Sequence, residues 1–141
     1  MVWLELYLVV RSFFIGEDFN GHVGTTSTVF EVVHGGFGYS SWNQEGEEVL
    51  DFAVAFDLMI ANTFFRKRES HLVTFSSRQH SSQIDFILAR RKDKQACLGC
   101  KVIPAECVVS QHKLLVADFR FQVRARRDKQ AKRLKEQSGG N

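Results

Sequence analysis

The chain has 141 residues, a length that suits one domain or a piece of one. Thirteen Phe, one Pro and an apolar fraction of 44% exclude a disordered chain and point to a packed, sheet-rich interior. The net charge of +3 is too small to imply a nucleic-acid partner by itself, and three Cys exclude a simple paired disulfide framework. The odd thiol count leads us to expect a reducing, intracellular compartment.

Residues 1–12 form an atypical apolar segment broken by Glu5 and Arg11. The run 6–10 is too short to span a bilayer, and the start lacks the basic residues of a secretory signal. A packed helix or strand is expected there. Phe13-Phe14-Ile15, ended by Gly16, reads as a buried strand, followed by a polar loop and a Gly/Ser/Thr-rich stretch over 24–41.

Asn43 is a suitable N-cap, and Glu45, Glu47 and Glu48 suit the positive end of a helix dipole. Val49, Phe52, Ala53 and Phe56 recur at helical spacing, so one helix is expected over about 43–56 with those residues inward. Strands are expected at 58–61, 71–75, 83–88, 100–103 (stopped by Pro104) and 113–123, with a short helix near 90–94. From Arg124 onward the chain is polar and basic, and a helical or disordered tail is expected over 124–141. Strands dominate and one helix is clear, which is an α+β pattern.

Three polar clusters fall at strand ends: Gly16-Glu17-Asp18-Phe19-Asn20, Ser82-Gln83-Ile84-Asp85-Phe86 and Ser110-Gln111-His112. They supply carboxylates, an amide and an imidazole, a set suited to hydrolysis at phosphorus. A carboxylate deprotonates or orients water, an amide positions it, and a His held by a second carboxylate donates to a phosphate oxygen as charge builds. Taken singly, each cluster is equally compatible with a turn cap or a loop residue. Asp85 is the more unusual, because it shares neither face with Ile84 and Phe86 and needs a partner if its own face is buried.

The order and spacing of these clusters resemble the endonuclease/exonuclease/phosphatase (DNase I-like) superfamily, whose late motifs read Gly-Asp-x-Asn, x-Ile-Asp-x-Ile and Ser-Asp-His. The resemblance runs from about Phe14 to Val123. The stretches Asp18-Phe19-Asn20-Gly21-His22-Val23-Gly24, Ile60-Ala61-Asn62-Thr63-Phe64-Phe65 and Ser81-Ser82-Gln83-Ile84-Asp85-Phe86-Ile87-Leu88 resemble sequences called craniofacial development protein 2-like, which are similar to the endonuclease domain of a clade of non-LTR retrotransposons.

The resemblance implies the C-terminal half of a four-layer α/β/β/α sandwich, with a partial domain over 13–123, and Mg²⁺-dependent cleavage of DNA. It implies that Asp18 activates water, Asn20 positions it, Asp85 orients His112, and His112 stabilises the phosphate transition state. Asp18, Asn20 and Gln111 would face the metal. Glu17 stands where the family has Gly, and Gln111 where most relatives have Asp. The metal-ligating Glu of the family's first half has no counterpart before Phe13. The expectation is therefore a truncated endonuclease, weakly active or inactive alone, whose sheet lacks its partner sheet and exposes an apolar face open to self-association.

The alternatives are a non-catalytic nucleic-acid-binding module or a decayed fragment without function. In the first, Arg124, Arg126, Arg127, Lys129, Lys132 and Arg133 contact phosphates or serve nuclear import. Cys97 and Cys100 form a CxxC, but no second pair accompanies it, and free thiols are expected over a zinc site.

Overall fold

In the computed structural model, residues 3–13, 19, 21–109 and 111–126 are described, with side chains for 19, 21–107 and 111–121. The elements are β1 (Trp3–Phe13), α1 (Gln44–Ala55), β2 (Leu58–Ile60), β3 (Phe75–Ser77), β4 (His80–Ser82), β5 (Leu88–Arg90), β6 (Cys97–Val109) and β7 (His112–Arg126). Short 3₁₀ turns lie at Ala61–Phe64, Glu69–His71 and Arg91–Ala96. Five strands form one sheet in the order β1-β7-β3-β4, with β6 also on β7, and β2 pairs with β5 in a second. All pairings are antiparallel, so the chain is α+β with one main helix, in line with the sequence.

β7 organises the large sheet. Leu115, Ala117 and Phe119 alternate along it and enter one core with Cys97, Cys100 and Val102 of β6. Met59, Ala61 and Ile87 cover them from the other side. This face of the sheet is therefore covered. Period-two alternation splits the next layer between two cores: Met59 and Ile87 face the sheet, while their neighbours Ile60 and Phe86 join Val23, Val33, Val49, Leu50 and Ala53 beneath α1.

α1 begins where expected. The Asn43 side chain accepts from the Gly46 N–H at 2.8 Å and the His22 N–H at 2.9 Å, so one cap serves the helix and the loop beside it. The inward face, however, is not the one the apolar spacing suggests. Gly46, Val49, Leu50 and Ala53 are buried, while Phe52 and Phe56 are 46% and 63% exposed. Gly46 explains the rotation. A Cβ there would lie 1.8 Å from the His22 carbonyl oxygen, so the missing side chain lets the helix dock on that backbone with the 46/49/50/53 stripe inward. Asp57 adopts φ 54° and ends the helix.

Further elements depart from expectation, and the strand expected at 71–75 starts only at Phe75, as β3. β6 runs past Pro104, because register shifts between Ile103 and Cys107 accommodate a residue with no N–H to donate. β7 runs to Arg126, so 124–126 are strand and not tail; β1 supplies the partner, pairing Glu5 with Arg124 and Trp3 with Arg126. Residues 83–87 are not part of any ladder and join β4 to β5 as a free-standing span. The expected strand at 13–15 is represented by Phe13 as the last residue of β1, and Phe14 and Ile15 lie outside the described residues.

Candidate hydrolytic site

The span 83–87 carries Asp85 and has no strand beside it, so its backbone groups need other partners. Side chains provide them. Thr74 Oγ1 accepts from the N–H groups of Ile84 at 3.0 Å and Asp85 at 3.1 Å. Asn62 donates through Nδ2 to the Asp85 carbonyl at 3.1 Å and accepts through Oδ1 from the Ile87 N–H at 2.9 Å. The Ala61 N–H donates to the Ile87 carbonyl at 2.8 Å. Thr74, Asn62 and Asp85 are all buried, and in that setting each of these bonds matters because water cannot replace it.

His112 opens β7, opposite Phe75 of β3. Its Nδ1 lies 2.8 Å from Asp85 Oδ2, and the Phe75 ring meets the imidazole edge-on at 5.2 Å. The carboxylate side chain is 1% exposed and the imidazole 14%, so a buried acid backs a His whose edge reaches the surface. Asp85 can only accept when ionised. The proton between them therefore sits on His112 Nδ1, and Nε2 is the nitrogen that Asp85 does not occupy.

The two residues that the sequence pairs by function, Asp85 and His112, are thus brought together across 27 positions. Gln111, beside His112, is exposed and takes φ 65°; its carbonyl accepts from the Ser76 N–H at 3.0 Å, which holds the turn in that left-handed conformation. Asp18 and Asn20 lie outside the described residues, as do Arg127, Lys129, Lys132 and Arg133. Between the first two, Phe19 packs its ring 6.2 Å from that of Phe86, the neighbour of Asp85. Arg124 and Arg126 belong to β7 by their backbone.

Of the two residues that hold the Asp85 backbone, Thr74 carries no motif, and Asn62 lies in the resembling stretch Ile60–Phe65 with no role assigned to it. Each is a buried polar residue in an apolar stretch, and that conflict is a signal the sequence offers for both. Gln83 is a third case. It is 1% exposed, its Oε1 accepts from the Tyr39 N–H at 3.1 Å, and its Nε2 meets no partner.

Among the described residues, no three His, Cys, Asp or Glu side chains gather as a metal site. Cys97 and Cys100 are free thiols in the core, and Cys107 is free and exposed. No helix among the described residues is long and apolar enough to cross a membrane.

The chain is similar to craniofacial development protein 2 of Tragulus javanicus, 32% identical over 123 residues, which is 86% of this chain and 21% of that protein. It is likewise similar to craniofacial development protein 2 of Bos taurus, 31% identical over 123 residues, 86% of this chain and 20% of that protein. The chain thus spans about a fifth of the length of the curated relatives it matches. No family model matches the chain, and no solved structure matches it.

Proposed function

We propose that this chain carries the His–Asp half of a phosphodiester-hydrolysing site of the endonuclease/exonuclease/phosphatase type, acting on DNA, within the C-terminal half of a DNase I-like sandwich. The observation that supports this reading is the 2.8 Å bond from His112 Nδ1 to a carboxylate that is almost wholly buried. The buried carboxylate holds the partly exposed imidazole through Nδ1. Nε2 is left to meet a phosphoryl oxygen, where negative charge grows in the transition state and a proton on that nitrogen offsets it. Asp18 takes the proton of the attacking water and Asn20 orients that water. Mg²⁺, when bound, would polarise a phosphate oxygen or the leaving group. Asp18, Asn20 and Gln111 are the residues of this chain that would hold the ion, and we take the chain alone to be a weak nuclease.

The test is Mg²⁺-dependent nicking of supercoiled plasmid by the wild-type chain, Asp18→Ala and His112→Ala. Weak nicking by the wild type that both substitutions abolish supports the reading. Equal background from all three proteins rejects it.

A further inference from the structure

The rotation of α1 leaves Phe52 and Phe56 on the surface with ring centroids 4.6 Å apart. They are one helical turn apart and present a two-ring apolar platform. The platform forms one wall of a hollow of about 580 Å³ whose other wall carries Arg90, Arg91 and Lys92. Lys92 also lines a second hollow of about 620 Å³, bounded by Leu98, Arg120 and Phe121. The two hollows meet at Lys92. Each has the size of an ordinary small-ligand site.

Charge decides what such a surface takes. Four cations line the two hollows against two carboxylates, Asp57 and Asp93, and the Asp57–Arg91 pair takes one of each. The acids of α1 line neither hollow. A ligand that fits offers flat π faces and negative charge in alternation along its length. An acidic peptide supplies the charge without the regular flat faces. Duplex DNA supplies the charge but keeps its base faces stacked inside. A single strand supplies both, because unpaired bases are open to stacking on aromatic rings while the backbone tracks cations.

We infer that the groove running from Phe52 and Phe56 across Arg90 and Lys92 toward Arg120 and Phe121 binds single-stranded nucleic acid. Bases stack on the phenyl rings and phosphates lie against the cationic wall. The site is separate from the Asp85–His112 pair and does not depend on the hydrolytic reading.

The test is fluorescence anisotropy of a labelled oligothymidylate with the full chain, in EDTA so that cleavage plays no part. The Phe52→Ala/Phe56→Ala double variant should weaken binding about tenfold or more, the effect expected for losing base–aromatic stacking. Lys92→Glu should weaken it too and flatten its salt dependence. Phe56 is 63% exposed, and circular dichroism of each variant checks that the fold is kept. A duplex of the same length should compete poorly. Unchanged affinity in both variants overturns the inference. So does loss of binding only when residues 127–141 are deleted, which assigns binding to the tail, or Phe-dependent binding of an acidic peptide in place of the oligonucleotide.

Discussion

The hydroxyl of Thr74 receives the backbone N–H of Asp85 at 3.1 Å, and the N–H of Ile84 beside it at 3.0 Å. One oxygen does for this span what a neighbouring strand does elsewhere. Thr74→Val keeps the shape and removes the acceptor, leaving two buried donors unpaired. At about 1–3 kcal/mol each, the loss should be about 2–6 kcal/mol, against about 1 kcal/mol for Thr74→Ser, which keeps the oxygen. Urea unfolding of the two variants measures the difference.

Asp85 fixes the proton on His112 Nδ1. In Asp85→Ala that acceptor is gone and the fixed tautomer should be lost, which nitrogen NMR of the His112 ring reads directly. In the nicking assay the same variant should fall by about 10²–10³-fold, the usual cost of removing one preorganised polar partner from a transition-state site. An unchanged tautomer would show that the imidazole is oriented by something other than Asp85.

His34 predicts a pH dependence. It is fully buried; its Nε2–H donates to the Gly24 carbonyl at 2.9 Å and its Nδ1 accepts from the Gly36 N–H at 2.9 Å. The Nδ1 bond needs the neutral ring, because a protonated Nδ1 cannot accept. Burial pushes its pKa below the ordinary 6.5, with the Gly24 bond pulling the other way. Above pH 6.5 neither folded nor unfolded chain is protonated here, and the group adds no slope. Below that value the unfolded chain takes up a proton that the folded chain refuses, so stability falls as pH drops toward the lowered pKa. Urea midpoints between pH 7.5 and 5 should decline more steeply in the wild type than in His34→Gln.

The thiols should separate cleanly. Burial raises the pKa of Cys97 and raises that of Cys100 further, with Asp118 adding to both, whereas Cys107 is exposed. The thiolate is the reactive form. A disulfide exchange reagent at pH 8 should therefore modify Cys107 rapidly in the folded chain and all three thiols in urea. Fast modification of Cys97 or Cys100 in the folded chain would contradict their placement in the core.

Local signals made some of this legible. Asn43 marks the start of α1 because a cap acts within one turn, and alternation marks β7 because Leu115, Ala117 and Phe119 face one core. Signals from distant residues were not legible. Which face of α1 turns inward depends on Gly46 meeting the His22 backbone, and no periodicity contains that contact. The length of β7 depends on β1, more than a hundred residues earlier in the chain. Residues 83–87 look like a strand because they have strand composition, yet their partners are the side chains of Thr74 and Asn62. The meeting of Asp85 with His112 was foreseeable from family resemblance, since a separation of 27 positions carries no local pattern that implies it.

The unequal reach of β7's two neighbours has its own consequence. β6 leaves it at Phe119, while β1 continues beside it to Arg126. Among the described residues, 120–126 and 3–9 therefore form a ribbon only two strands wide, and a ribbon of that width has little stability of its own. In deuterated water its amides should trade their protons first, well ahead of those at 113–118, so that the chain opens from this end like a seam.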